Sequence, residues 1–374
     1  MEPNLTSAEP VEHARLRDIW ELTLAELEAL AIAAGERSFR ARQVANWLWR
    51  RDATSFDAML ELPVSFRTFL KDNFKIERLP VAHLARSADG TRKMLLRLAD
   101  DERIESVIIP TEGRVTLCLS SQVGCAMDCG FCATARMGLR RNLASAEILG
   151  QVLAARRELA SDETLTNYVF MGMGEPLANY PRLSRTLETM ISDWGMGISP
   201  RRITVSTVGL VPTMERLLTE FQVNLAVSLH ATTDETRDRV APINRRYPIA
   251  DLLGACRELP LQRRRRITFE YVMLDGVNDS LEDARRLVKL LAPIRAKVNL
   301  ICFNPFADAP FRASPRSRVE AFQAILHQGN LTATIRESRG QDIAAACGQL
   351  YAEQSTSGEA GAPAERNERA AQPK

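Results

Sequence analysis

Apolar positions recur at helical spacing near the start of the chain. Trp20, Leu24, Leu27 and Ala31 fall close to one stripe, and Val44, Trp47 and Leu48 mark another. Glycine, asparagine and proline are sparse before Pro63, so residues 16–79 predict a small helical domain. Within it, residues 38–51 (SFRARQVANWLWRR) read as one amphipathic helix. Its Arg40, Arg42, Arg50 and Arg51 are candidates for a nucleic-acid backbone, with a solvated helix face as the plain alternative.

The period then changes. VAHLAR, TRKMLLRL and ERIESVIIP are short alternating runs separated by Ala88-Asp89-Gly90 and Asp100-Asp101, which predicts an antiparallel extension over 80–113. From 114 onward strand-like and helix-like segments alternate. Candidate strands are 115–120, 167–171, 202–206, 224–229, 267–274 and 298–304, with amphipathic segments such as 144–159 and 281–291 between them. Six such repeats predict an α/β fold, a partial (β/α)6 barrel of parallel strands over 114–352, with 332–336 closing or extending it. Chemistry in such folds gathers at the C-terminal strand ends. Residues 1–15 and 353–374 read as disordered tails, the latter small, polar and without large apolar residues.

Composition adds exclusions. Of 374 residues, 45% are hydrophobic and 26% charged, unlike a disordered chain, a coiled coil or a collagen repeat. No apolar run reaches about 18 residues, so no transmembrane helix is expected. The segment MEPNLTSAEPVEH lacks a basic n-region and an apolar h-region, which predicts no secretory signal and a cytoplasmic location. Formal net charge is +2, from 49 Lys and Arg against 47 Asp and Glu, so only local clustering bears on partners. Seven cysteines in a reducing compartment read as metal-binding or catalytic rather than disulfide-bonded.

Three of them are close together. Cys125, Cys129 and Cys132 follow the first strand of the repeat in a C-x3-C-x2-C loop between Gly124 and Ala133. A structural zinc site takes four ligands, and the only histidines are His13, His83, His230 and His327, none of them local. Three cysteines on an iron–sulfur cluster leave one iron open, which suits catalysis better than structure. Iron–sulfur is therefore the preferred reading and zinc the alternative. A non-catalytic RNA-binding protein with a structural metal loop is the competing reading from another class.

The loop, with Phe131 before its last cysteine, resembles the radical S-adenosylmethionine (SAM) superfamily. Gly172-Met173-Gly174-Glu175-Pro176 resembles that superfamily's Gly-Glu-Pro segment. SSQVGCAMDCGFCAT, FMGMGEP, SLHATTDETRD, FNPF and RGQDIAAACGQL together are similar to the RlmN/Cfr family of RNA methyltransferases, over roughly residues 16–351. That resemblance implies a 4Fe-4S cluster on Cys125, Cys129 and Cys132. It implies two SAM per turnover, held by Gly174, Glu175, Ser206, Ser228, Leu229, His230 and Asn304. Cys347 would carry a methyl group to the RNA, Cys118 would release the product as a disulfide forms, and Glu105 would accept the displaced proton. Read alone, Cys118 is a core residue, Glu105 an outward carboxylate paired with Arg103, and His230 a satisfied strand-end histidine. Cys256 and Cys302 match no role and read as small buried apolar residues.

The implied substrates are 23S rRNA near the peptidyl-transferase centre and tRNA at the adenosine 3′ of the anticodon. The product would be 2-methyladenosine, with Cfr-like methylation at C8 as the alternative. C2 of adenine lies between two ring nitrogens and is no nucleophile, which explains a radical route. An electron donor such as flavodoxin, no membrane and a monomer complete the expectations. Arg140-Arg141, Arg201-Arg202, Arg245-Arg246 and Arg263–Arg266 are expected to form an arginine rim that grips RNA.

Overall fold

The computed structural model describes residues 16–352, so the tails expected at 1–15 and 353–374 lie outside the described residues. A two-residue strand β1 (Arg17–Asp18) precedes helices α1 (Leu24–Ala33), α2 (Arg40–Trp49) and α3 (Val64–Asn73) and pairs in parallel with β2 (Phe74–Lys75). Thr23 starts α1 with a reciprocal cap: its hydroxyl accepts from the Glu26 N–H at 3.2 Å, and Glu26 accepts from the Thr23 N–H at 2.8 Å. Trp20 and Trp49 pack with ring centroids 4.5 Å apart. The four arginines of 38–51 find partners within the chain. Arg40 meets Glu36 at 3.4 Å, Arg42 meets Asp193 at 3.5 Å, Arg51 meets Glu61 at 2.8 Å, and Arg50 donates to the Gly195 carbonyl at 3.2 Å.

The antiparallel run is β3 (Val81–Arg86), β4 (Arg92–Arg97) and β5 (Arg103–Thr111), followed by β6 (Arg114–Cys118). A short hairpin, β7 (Gln122–Gly124) with β8 (Leu139–Asn142), comes next. Then α4 (Ser145–Arg157), β9 (Leu165–Phe170), α5 (Tyr180–Ile191), β10 (Ile203–Thr207), α6 (Val211–Phe221) and β11 (Asn224–Ser228) alternate. Two helices, α7 (Asp234–Val240) and α8 (Ile249–Glu258), lead to β12 (Ile267–Met273), α9 (Leu281–Leu291), β13 (Ala296–Cys302), α10 (Arg316–Gln328) and β14 (Ala333–Arg336).

All but four of these strands form one ten-stranded sheet in the order β14-β13-β12-β11-β10-β9-β6-β5-β4-β3. It is parallel from β6 to β14 and antiparallel from β6 back to β3. The strand expected at 332–336 therefore extends the sheet at one edge. It cannot close a barrel on β6, because the free edge of β6 is taken by β5. Helices cover the sheet with an apolar face: in α9, Ala284, Leu287 and Leu291 are buried while Glu282, Arg285 and Lys289 are not. All seven residues of β12 are buried, as expected for a central parallel strand. No helix among the described residues is long and apolar enough to cross a membrane.

Candidate active site

The hairpin β7–β8 frames the cysteine loop. Gly124 sits at φ +73°, and a Cβ there would lie 1.7 Å from the Gly138 carbonyl oxygen, so the two hairpin ends close only on glycine. Cys125, Cys129 and Cys132 line one cleft. Among the described residues no three Cys, His, Asp or Glu side chains are drawn together at the spacing of a single metal ion; the thiols stand around the cleft wall instead. Burial pushes the Cys125 thiol up to about 12 and raises Cys129 and Cys132, and the neighbouring thiols push Cys125 and Cys129 further. Thiols that resist ionisation alone suit a cationic iron–sulfur core, whose charge favours the thiolate form.

The rest of the wall comes from strand ends. Gly174 and Glu175 follow β9, Ser206 is the penultimate residue of β10, Ser228 ends β11, and His230 follows; all five line the cleft. Gly174 sits at φ +97°, where a Cβ would meet the Gln122 side chain at 2.5 Å. Gln122 in turn accepts from the Glu175 N–H at 2.8 Å. The buried Glu175 carboxylate accepts from the N–H groups of Leu177 (3.0 Å) and Val208 (2.8 Å), yet burial still raises it to about 7. His230 accepts at Nδ1 from the Val272 N–H at 3.0 Å, which leaves Nε2 protonated, buried and without a partner. Burial, helped by Arg237, pulls His230 down to about 3, so the ring stays neutral.

A second, smaller cavity adjoins the first. Cys118 and Cys347 both line it, and Cys347 also lines the cleft of the three cysteines. The fold thus brings the two cysteines into one cavity, which spacing along the chain does not show. The loop carrying Cys347 rests on the cysteine loop: the Ala133 N–H donates to the Gly348 carbonyl at 2.7 Å, and Thr134 Oγ1 to that of Leu350 at 2.7 Å. Asn304 lines the second cavity rather than the cleft and donates to the Cys347 carbonyl at 3.3 Å. Leu229 has its side chain in the core and its carbonyl bonded to Arg237 at 3.1 Å. Glu105 lines neither cavity. It is buried, and its partners are Lys93 Nζ at 2.8 Å and the Tyr351 N–H at 2.9 Å, not the outward pairing with Arg103 that its position in β5 allowed.

A profile described as the Radical SAM superfamily matches residues 119–288, and one described as the ribosomal RNA large subunit methyltransferase N-terminal domain matches residues 17–76. The chain is 53% identical over 333 residues to the dual-specificity RNA methyltransferase RlmN of Geobacter sulfurreducens, which is 89% of this chain and 91% of that protein. The chain belongs to the RlmN family. The RlmN of Desulfosudis oleivorans is 52% identical over 338 residues, 90% of this chain and 91% of that one. The crystal structure of a radical SAM methyltransferase from Sphaerobacter thermophilus matches with a TM-score of 0.85 at 47% identity, covering 90% of this chain and 100% of that one.

Several residues of this RlmN-family site are not visible as motifs. Arg237 lies within SLHATTDETRD, a string that gives it no role of its own, and it is fully buried behind the cleft. Glu270 lines the cleft from β12 and accepts from Asn299 at 2.9 Å; its sequence signal is a lone acid in an apolar run. Arg336 lines both cavities from the end of β14. Cys256 is buried in α8, whereas Cys302 is only half-buried because it ends β13.

The single arginine rim is not formed. Arg140 pairs with Glu102 at 2.7 Å, and Arg141 pairs with Asp100 at 2.6 Å and Glu147 at 2.8 Å. Arg201-Arg202 and Arg263–Arg266 directly precede β10 and β12, at the strand ends opposite those that wall the cleft.

Proposed function

We propose that the chain is a radical SAM RNA methyltransferase that methylates C2 of adenosine, in 23S rRNA at the peptidyl-transferase centre and in tRNA at the adenosine 3′ of the anticodon. The relatives carry the name dual-specificity RNA methyltransferase, which supports the RNA substrate and favours C2 over the Cfr-type C8 product. The observation that carries the reading is Cys347, a thiol open to both cavities with Cys118 beside it in the second.

When bound at Cys125, Cys129 and Cys132, a 4Fe-4S cluster reduced by a donor such as flavodoxin, together with SAM, supplies two things per turnover: a methyl group from one SAM and a hydrogen-abstracting radical from a second. Gly174, Glu175, Ser206, Ser228 and His230 hold SAM along the cleft wall, with the neutral His230 Nε2–H as a donor. Leu229 and Asn304 support that wall from behind. The Cys347 sulfur accepts the methyl and carries its carbon to adenine. The Cys118 sulfur then attacks the Cys347 sulfur. An S–S bond forms, and the S–C bond breaks with its electron pair going to carbon, which takes up a proton as the product methyl. An external dithiol returns both cysteines to thiols. Glu105 accepts the C2 proton; because Lys93 and Tyr351 hold it outside both cavities, the C-terminal segment shifts when RNA enters. The enzyme acts as a monomer in the cytoplasm.

The test is a product assay. Anaerobically reconstituted protein, SAM, a reductant and a 23S rRNA fragment are incubated, and the digested nucleosides are compared with 2-methyl- and 8-methyladenosine. A 2-methyladenosine peak lost in Cys347→Ala is the expected result. An 8-methyladenosine peak overturns the regiochemistry, and SAM cleavage with neither product overturns the RNA reading.

A further inference from the structure

The second cavity has a cationic wall that the reaction above leaves unused. Arg336 ends β14, and the segment after it turns back toward the Cys347 loop, so that Arg336, Ser338 and Arg339 all line the cavity holding Cys118 and Cys347. Arg336 and Arg339 are exposed, and among the described residues neither guanidinium makes a hydrogen bond or an ion pair. The arginines of β8, by contrast, are all paired. The Ser338 hydroxyl oxygen is buried and has no partner.

Of the neighbouring carboxylates, Glu270 lines the first cleft with Arg336; burial raises its pKa and the charge of Arg336 draws it down, yet its hydrogen bond is to Asn299 at 2.9 Å and it forms no ion pair with Arg336. The others are committed elsewhere. Glu337, on the same wall, is held by Arg316 at 2.7 Å. Asp342 accepts from the Ser87 hydroxyl at 2.5 Å and the Ala88 N–H at 3.2 Å, and Asp89 accepts from the Gly340 N–H at 3.0 Å. An orphaned hydroxyl on the same cavity wall as two unpaired guanidiniums lacks an anion with several acceptor oxygens. A phosphodiester supplies two non-bridging oxygens, which suit the two planar forks, and a further lone pair for the hydroxyl.

We infer that Arg336, Ser338 and Arg339 clamp a phosphodiester of the RNA, the one flanking the target nucleotide. This rests on the proposed function and deepens it. Cys347 lies on the same cavity wall, so a phosphate held there places its own nucleoside, rather than a distant one, against the two sulfurs. The clamp thereby fixes which nucleotide of a splayed strand is presented, without reading any base.

The experiment uses reconstituted enzyme and RNAs with one neutral methylphosphonate, placed 5′ or 3′ of the target adenosine. With wild type, one of the two RNAs is expected to show a KM raised about tenfold, with kcat within about twofold and the slope of log K against log salt reduced by about 1. Arg339→Gln is expected to show the same losses on native RNA and no further loss with that methylphosphonate. Arg339→Lys retains most of the salt slope, and Ser338→Ala loses less than Arg339→Gln. Thermal melts confirm that each variant is folded. Equal sensitivity of wild type and Arg339→Gln to both methylphosphonates, or no sensitivity in wild type, overturns the clamp. Failure of the underlying reading is seen separately, as wild type that does not methylate native RNA at all.

Discussion

Replacing Arg237 by Met asks whether one cation holds the strand ends that wall the cleft. The side chain is fully buried. Its Nε donates to the Leu229 carbonyl at 3.1 Å; Nη1 donates to Asn244 Oδ1 at 3.1 Å and the Tyr247 carbonyl at 3.2 Å; Nη2 donates to the carbonyls of Val208 at 2.8 Å and Ser228 at 3.1 Å. These bonds join the ends of β10 and β11 to the segment between α7 and α8. Burial pulls the Arg237 pKa down to about 10, a desolvation cost of about 3 kcal/mol. Bonds from a charged donor contribute about 1.5 kcal/mol each at the low end, or about 7 kcal/mol gross. The net contribution is then about 4 kcal/mol, and Met, which fills much of the volume but donates nothing, loses it. That corresponds to a fall in Tm of about 5 °C for a chain of this size. Calorimetry or urea unfolding of the cofactor-free protein under reducing conditions measures it. Arg237→Lys, with one charged nitrogen in place of a fork, falls between Met and wild type. A loss below about 1 kcal/mol in Arg237→Met would refute the reasoning, since it would mean the strand ends hold their positions without those bonds.

Gly174→Ala adds a Cβ 2.5 Å from the Gln122 side chain at a positive φ, so SAM binding by equilibrium dialysis should fall with a stability loss of about 2 kcal/mol; wild-type affinity would contradict it. The buried Glu175 holds its proton up to about 7, above its unfolded value of 4.5, so stability of the cofactor-free protein is greatest below that unfolded value and falls as pH rises through 7, by about 3 kcal/mol. Glu175→Gln should flatten that slope in a pH series of melts, and an unchanged slope would assign it to another group. Lys93→Met leaves the buried Glu105 carboxylate without its counter-charge, with only the Tyr351 N–H as partner, and frees the Ala344 carbonyl, which Lys93 Nζ reaches at 3.3 Å. A loss of about 3–5 kcal/mol is expected, with faster amide exchange over 340–352; unchanged protection there would mean the C-terminal segment is anchored by other contacts.

What the sequence reveals follows what is local. The parallel strands are readable because burial on both faces writes apolar runs such as ITFEYVM, and their bounds differ from expectation by only a residue or two. The β7–β8 hairpin is too short for any alternation to show, although Gly124 and Gly138 mark its ends. That β14 extends rather than closes the sheet depends on β5 occupying the edge of β6, a choice made by topology and not by any one segment. The cysteine triad is close along the chain, so its spacing exposes it, whereas Gly174-Glu175 shows only through the resemblance of its segment. Cys118 and Cys347 meet only through the fold. Arg237 hides for the opposite reason: a charged residue in a charged stretch predicts a solvated face, and only the carbonyls converging on it reveal a buried one.

The thiol pair also has a resting protection built into its electrostatics. Burial first, and the neighbouring Cys347 second, push Cys118 up to about 12, while Arg336 opposes them. At neutral pH only about one Cys118 in 10⁵ is then a thiolate. Cys347, although exposed, is raised as well by desolvation against the cavity walls. Because the thiolate is the form that attacks, two resting thiols in one cavity are slow to oxidise to a disulfide before any methyl has been carried. On the proposed roles, loading removes one thiol from this pair. Once Cys347 carries carbon it is a thioether with no proton to lose, so Cys118 alone can supply the attacking thiolate. Both the loaded carrier and the RNA adduct are thioethers, so charge does not distinguish them, and the order of the cycle rests on when the Cys118 sulfur reaches the Cys347 sulfur.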